Sequence, residues 1–344
     1  MGVAVGIDSH KSSLAAGAVD ELGRSIAASE FRNDPAGHEA LMAWISRLGD
    51  DRMVGVEGSR HYGSAATRCL IENGEMVFEV PAFMTHRERS KRPSRGKSDP
   101  GDAHAIAMVV AREERLTPSA LSGVNDDLKL LVDRRDQLVR HKTKTANRIH
   151  KHLVVVVPGY EKLIPRITRR CHVVRVRRLL RGDRGVRAEI VRDLLDEFVA
   201  LERKVADITR DISRAVIATG TTLTQLKGVG FLTAAKILGE VGDIGRIRSK
   251  AAFAMLNGTA PIEVSSGYSK RHRLNRGGNR QLNHALHVIA LTRCRTDDET
   301  KAYRARLIAR GASKRDAMRS LKRQLSNRVY RHLMMDLAVV QRAA

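Results

Sequence analysis

Asp8 ends the apolar run VAVGI at 3–7, and Glu57 ends the run MVGV at 53–56. An acid closing a single buried strand reads as a turn residue. Two such strands, each ending in a carboxylate, suggest something more. Asp99 and Asp102 follow in SDPGDAHAIA at 98–107, where helix capping is an equal reading: an acid at the N-cap, proline at the first helical position and a second acid near the positive dipole end. The four together carry chemistry that none carries alone. A quartet of carboxylates on one rim of a domain repels itself, and hard divalent cations held through oxygen relieve the repulsion. Mg²⁺ is the ordinary choice where phosphate oxygens complete the shell, with Mn²⁺ as the alternative. Two ions per site activate the attacking oxygen and stabilise the leaving oxygen of an in-line phosphoryl displacement. His10, His61 and His104 stand near these acids, and Lys11 stands three residues after Asp8. A general acid/base role is open to the histidines, but the better reading of each is a local hydrogen-bonding or surface residue; Lys11 reads equally as a phosphate contact or a turn residue, and none is assigned a role.

The basic residues suggest what such a site would act on. Lys91, Arg92, Arg95 and Lys97 belong to RERSKRPSRGK at 87–97, six cations and one acid with proline and glycine breakers, which reads as a mobile loop suited to closing over a phosphate backbone. Lys270, Arg271, Arg273, Arg276 and Arg280 form a second strip suited to phosphate contacts that position nucleic acid without reading it. Gly228-Val229-Gly230 before an alanine-rich helix reads either as the hairpin of a helix-hairpin-helix, offering backbone amides to a phosphate, or as an ordinary glycine turn.

The elements that must position these residues are legible in outline. The opening reads as α/β: strand 3–7, a turn at 21–24 and strand 24–31 as a hairpin, a helix from 37 to 48, strand 53–56, a helix from 64 to 73, strand 76–80, and a helix start at 98 that ends this first domain near 117. From 126 to 148 and from 186 to 216 the chain runs without Pro or Gly and with apolar residues at helical spacing. This predicts two long helices that pair antiparallel or pair with another copy. The intervening stretch is the most basic, with 14 Lys+Arg against 3 Asp+Glu over 141–190, and reads as a nucleic-acid arm. Residues 266–344 read as helical and basic. Three domains follow: 1–120, 121–220 and 221–344.

Composition agrees. The 344 residues carry 62 Lys+Arg against 38 Asp+Glu, a net +24, which points to a polyanion partner. Residues 1–80 run the other way, with 7 Lys+Arg against 12 Asp+Glu. An acidic opening in a phosphate-binding chain fits a site whose carboxylates hold metal. Aromatic residues make up 3%, which argues against base-stacking platforms. Cys69, Cys171 and Cys294 are too dispersed for a disulfide framework or a zinc module. No run approaches a membrane span, so a cytoplasmic, nucleoid-associated protein is expected.

GIDSHK at 6–11, VEGSRHYG at 56–63 and KSDPGDAHAIA at 97–107 resemble, in type and spacing, the three signature blocks of the DEDD transposases of the insertion-sequence one-ten family. GTAPIEVSSGYSKRHRLNRGGNRQLNHAL at 258–286 resembles that family's second domain. The resemblance implies a RuvC-like first domain of RNase H fold, a helical coiled-coil middle and a mainly α C-terminal domain. It implies that Asp8, Glu57, Asp99 and Asp102 are the metal-binding tetrad. It also implies that a serine beside Gly267, Ser266 or its neighbour Ser265, is the nucleophile joined to a DNA end, in a composite site with the tetrad. The implied partners are donor and target DNA and a structured non-coding guide RNA that supplies sequence choice by pairing; the long helices suggest a homo-dimer or tetramer. A site-specific invertase of the same family, a metal-dependent junction nuclease using water, and a DNA-binding protein whose acids merely cap helices remain rival readings.

Overall fold

The computed structural model describes residues 2–90, 99–113, 116–119, 123–266, 269–275 and 277–343. The basic residues Lys91, Arg92, Arg95, Lys97 and Arg276 lie outside them. The chain forms two compact units, 1–122 with 243–252, and 123–242 with 253–344.

The first unit is built on one mixed sheet. Strands β1 (Val3–Ser9), β2 (Ser13–Val19), β3 (Ser25–Arg32), β4 (Arg52–Glu57), β5 (Val77–Val80) and the short β6 (Thr117–Pro118) lie in the order β3-β2-β1-β4-β5-β6. β1 pairs in parallel with β4, and β4 with β5, while β2 runs against both β1 and β3. Among the first five strands, only β2 is therefore reversed. This order and polarity make the unit RNase H-like. Helices α1 (Pro35–Ser46), α2 (Ser64–Glu72), α3 (Ala82–Arg89) and α4 (Asp99–Arg112) complete it. α1 starts where a sequence rule says it should: Asp34 accepts from Gly37 N at 2.8 Å, with Pro35 at the first helical position. One core packs Val5, Ile7, Val54 and Val56 against Leu41, Ile45 and Leu70. A second packs Ala4 and Val80 against Ile106, Ala107 and Val110 of α4.

Two expectations for this unit are corrected. The strand at 24–31 does not pair directly with β1, because β2 intervenes. The sequence of β2, SLAAGAV, is mostly small residues with a single β-branched one, Val19, yet Leu14, Ala15, Ala16, Ala18 and Val19 are almost wholly buried. Arg87–Arg89, read as the start of a loop, close α3 and are tied to α4: Arg87 pairs with Glu113, and Arg112 with Glu88.

The second unit is mostly helical. α5 (Gly123–Val156) and α7 (Val186–Ala218) flank α6 (Arg170–Leu179). Arg135 Nε donates to Thr209 Oγ1 (3.0 Å), Lys142 meets Glu202 (3.2 Å), and Thr145 donates to Glu197 (3.3 Å). Partners therefore descend along α7 as they ascend along α5, so the pair is antiparallel and formed within one chain. α8 (Phe231–Val241) follows, then α9 (Lys250–Leu256), which spans the boundary between the units, the hairpin β7 (Pro261–Ser266) and β8 (Ser269–Leu274), and α10 (Arg280–Thr296), α11 (Asp298–Ala309) and α12 (Lys314–Ala343). β8 corrects the expectation that everything beyond 266 is helical. Among the described residues no helix is long and apolar enough to cross a membrane.

Candidate active site

A row of three glycines sets the first unit's geometry. Gly17, Gly6 and Gly55 face one another across β2, β1 and β4. A Cβ on Gly6 would overlap Ala107 N and Ala103 O, one on Gly17 would stand 3.2 Å from His104 N, and one on Gly55 would overlap Val110. α4 therefore lies directly on bare backbone. It runs against β1, because Met108, in its later half, meets Gly23 beyond the end of β2 at which β1 starts. The first turn of α4 accordingly lies toward the carboxyl ends of β1 and β4.

Those ends carry the acids. Asp8 and Glu57 are register partners, on strands spaced about 4.8 Å apart. Each lies two residues beyond its glycine and so on the α4 side of the sheet. The Asp8 side chain is 13% exposed, with His10 Nε2 at 3.3 Å from its Oδ2. Ser9 Oγ donates to Glu57 O at 2.7 Å, closing the two strand ends on each other. Asp102 is buried in the first turn of α4, one residue before Ala103, with Arg89 Nη1 2.6 Å from its carboxylate. Asp99 is the first residue of that helix, and its side chain is outside the described set. Among the described residues no three of His, Cys, Asp or Glu form a group close enough to hold a metal ion. The arrangement thus brings Asp8 and Glu57 side by side and sets Asp102 on the helix above them, neutralised by an arginine. Carboxylate oxygens are hard donors of the kind divalent cations take, and at Asp102 a cation would have to displace the arginine.

The serines sit in the second unit. Ser266 is the last residue of β7 and pairs with Ser269; Ser265 pairs with Lys270, and Val264 with Arg271. Gly267 and Tyr268 are outside the described residues. Lys270, Arg271 and Arg273 are all on β8, and Arg280 opens α10 with its side chain exposed.

Asparagines that the sequence reading passed over fix the base of this hairpin. Asn257, fully buried, donates to Ser326 Oγ at 2.8 Å and accepts from Thr259 N and Oγ1 at 3.1 and 2.7 Å. Asn283 donates to Asn257 O at 2.8 Å. Asn279 caps α10, accepting from Gln281 N and Leu282 N, and donates to the buried Glu240 at 2.6 Å. An Asn at a helix start is the one signal the sequence offered for this network.

The glycine turn has a packing role. Gly228 adopts φ +90° against Ile289 O and Arg293, so a side chain there is excluded, whereas Gly230 faces open space as the N-cap residue of α8. What precedes this turn is the 3₁₀ segment Thr222–Gln225. Lys227, just before it, reaches Asp297 at 3.1 Å. The Thr300 hydroxyl, Lys227 and Arg293 together hold the Asp297 carboxyl far below the usual carboxylate range.

Comparison with known proteins places these features in context. A model of DEDD transposases of the IS110 type, described as "Transposase", matches residues 5–158, and one described as "Transposase IS116/IS110/IS902 family" matches 220–305. The chain belongs to this transposase family. Two curated relatives run nearly end to end with it. The IS110 insertion-element 43.6 kDa protein of Streptomyces coelicolor is 26% identical over 94% of this chain and 92% of its own length. The IS116 44.8 kDa protein of Streptomyces clavuligerus is 24% identical over 93% and 92%. Among solved structures, Thermus thermophilus RuvC in complex with a Holliday junction is 18% identical and covers 35% of this chain and all of its own, with a TM-score of 0.29. The RNase H-like assignment stands on strand order and polarity rather than on that overlay. The transposase is a DNA-processing enzyme. Its first matched span contains Asp8, Glu57, Asp99 and Asp102, and its second contains Gly228, Gly230, Ser265, Ser266 and the basic strip.

Proposed function

We propose that this transposase cuts and exchanges DNA strands by metal-dependent phosphoryl transfer, with Asp8, Glu57, Asp99 and Asp102 as ligands and Ser266 as nucleophile. What most supports the metal reading is the in-register pairing of Asp8 with Glu57 beneath a helix whose first turn carries the other two acids. The residues suit two Mg²⁺ ions, or Mn²⁺, which when bound polarise the scissile phosphate and stabilise the leaving oxygen. The chain's own contributions are distinct. The carboxylates hold the ions, and the glycine row fixes the helix that carries half of them. Arg89 neutralises Asp102 until a cation takes its place. The Ser266 Oγ forms a bond to phosphorus as a deoxyribose oxygen leaves, and reversal onto a second strand completes the exchange; Ser265 is the alternative one position back. Lys270, Arg271, Arg273, Arg276 and Arg280, and Lys91, Arg92, Arg95 and Lys97, hold backbone phosphates. Site choice is delegated to a structured guide RNA, and a homo-dimer or tetramer brings donor and target together.

The test is to purify the protein with its cellular RNA, sequence that RNA, supply matched donor and target DNA, and look for a serine-linked DNA adduct. Ser266→Ala is expected to remove the adduct and the exchange while duplex binding persists. Exchange retained in Ser266→Ala and in Ser265→Ala would overturn the serine assignment; strand cleavage retained with no protein–DNA adduct and no exchange would favour a water-using junction nuclease.

A further inference from the structure

Between Lys162 and Arg187 the chain carries ten Lys+Arg against a single acid, Asp183. That acid is engaged in its own turn, accepting from Gly185 N at 2.8 Å. Two of the arginines meet acids of α7: Arg170 approaches Glu202 at 3.8 Å, and Arg177 pairs with Asp196. Arg175, Arg178, Arg181, Arg184 and Arg187, at every third position, are exposed and have no carboxylate partner among the described residues.

The segment that presents them is packed, not slack. Val173, Val176 and Leu180 of α6 and its following turn bury against Ile149 and Leu153 of α5 and Leu195 of α7. The Tyr160 hydroxyl lies 2.6 Å from His150 Nδ1, with the two rings stacked. Arg192 donates to Leu180 O at 3.0 Å and to Asp183 O, clamping the turn after α6. Uncompensated like charges this dense along a packed segment are unfavourable by themselves and become favourable when a polyanion neutralises them.

The residue types narrow the partner. Guanidinium forks match phosphate oxygens. The aromatics of this region, Tyr160 and Phe198, are both buried and offer no face for base stacking, which disfavours a single strand. A second copy of the chain would bring the same positive surface with it. We propose that the tip of the α5–α7 pair is a docking surface for the phosphate backbone of duplex DNA, the nucleic acid a transposase processes, gripped by charge and shape. It needs neither the carboxylates nor Ser266, so it stands or falls apart from the catalytic reading.

The experiment uses the full chain in EDTA, with fluorescence anisotropy on a labelled duplex DNA and a labelled duplex RNA of arbitrary sequence across a salt series. The triple variant R175E/R178E/R181E is compared with wild type and with R310E/K314E/R315E, which makes the same change in net charge at exposed positions of another region. The expected result is at least a tenfold loss of affinity for the DNA duplex beyond that of the control. The log–log salt slope should also fall by roughly 2 to 3, since each phosphate contact contributes about 0.9. Loss confined to the RNA duplex overturns the proposal. Equal behaviour of the two triple variants overturns the proposal, as does loss of self-association with duplex binding intact. R175Q/R178Q/R181Q, checked for helicity, repeats the test without charge reversal.

Discussion

The carboxylates and the serine are supported by opposite means. Asp8 and Glu57 are carried on adjacent strands in the middle of a six-stranded sheet, under a helix seated on bare glycine backbone. Ser266 ends one strand of a two-stranded hairpin whose base is held by buried side-chain amides. Close packing tolerates almost no change of volume, while a hydrogen-bond network tolerates volume but not the loss of a partner. A mutation that adds one methyl group should therefore wreck the first region, and one that removes one amide should loosen the second.

The largest expected effect is on chemistry. Asp8→Asn or Glu57→Gln should abolish strand exchange, measured as recombinant product, with circular dichroism and duplex binding unchanged. Next comes packing: Gly6→Ala should destabilise the first unit by about 1–3 kcal/mol or more in urea unfolding, whereas Gly230→Ala, which meets nothing, should be near neutral. Asn257→Ala should cost the second unit about 1–3 kcal/mol by stranding the Ser326 hydroxyl and the Thr259 amide; a smaller loss than that of Gly6→Ala sharpens the contrast. The smallest effect concerns pH. Because the Asp297 carboxyl is held far below its ordinary value, its contribution is fully present above about pH 4–5 and fades as pH falls toward the folded value. Asp297→Asn should flatten the acid limb of the second unit's stability profile; an unchanged limb would remove Asp297 as its source.

What the sequence disclosed follows the same division. Asp8 and Glu57 were legible because apolar runs of β-branched residues end abruptly in acids, and α4 because Asp-Pro-Gly-Asp is a helix opening. β2 was not, because a strand made mostly of Ala and Gly, with Val19 its one β-branched residue, owes its place to a helix lying across it more than to its own propensity. The long helices were legible from periodicity, but their pairing within one chain rests on contacts such as Lys142 with Glu202, far apart in sequence. β7–β8 escaped because its anchors, Asn257, Asn279 and Asn283, are isolated polar residues whose partners only the fold supplies.

The central claim is that divalent ions sit where Asp8, Glu57 and the first turn of α4 meet. Crystals grown with Mn²⁺, and the anomalous difference map at the manganese edge, test it most directly. The account predicts density between Asp8 and Glu57, with Asp102 released from Arg89. Manganese bound elsewhere, or Asp102 still paired with Arg89 and no peak beside Asp8 in a crystal that holds bound manganese at another place, would contradict it.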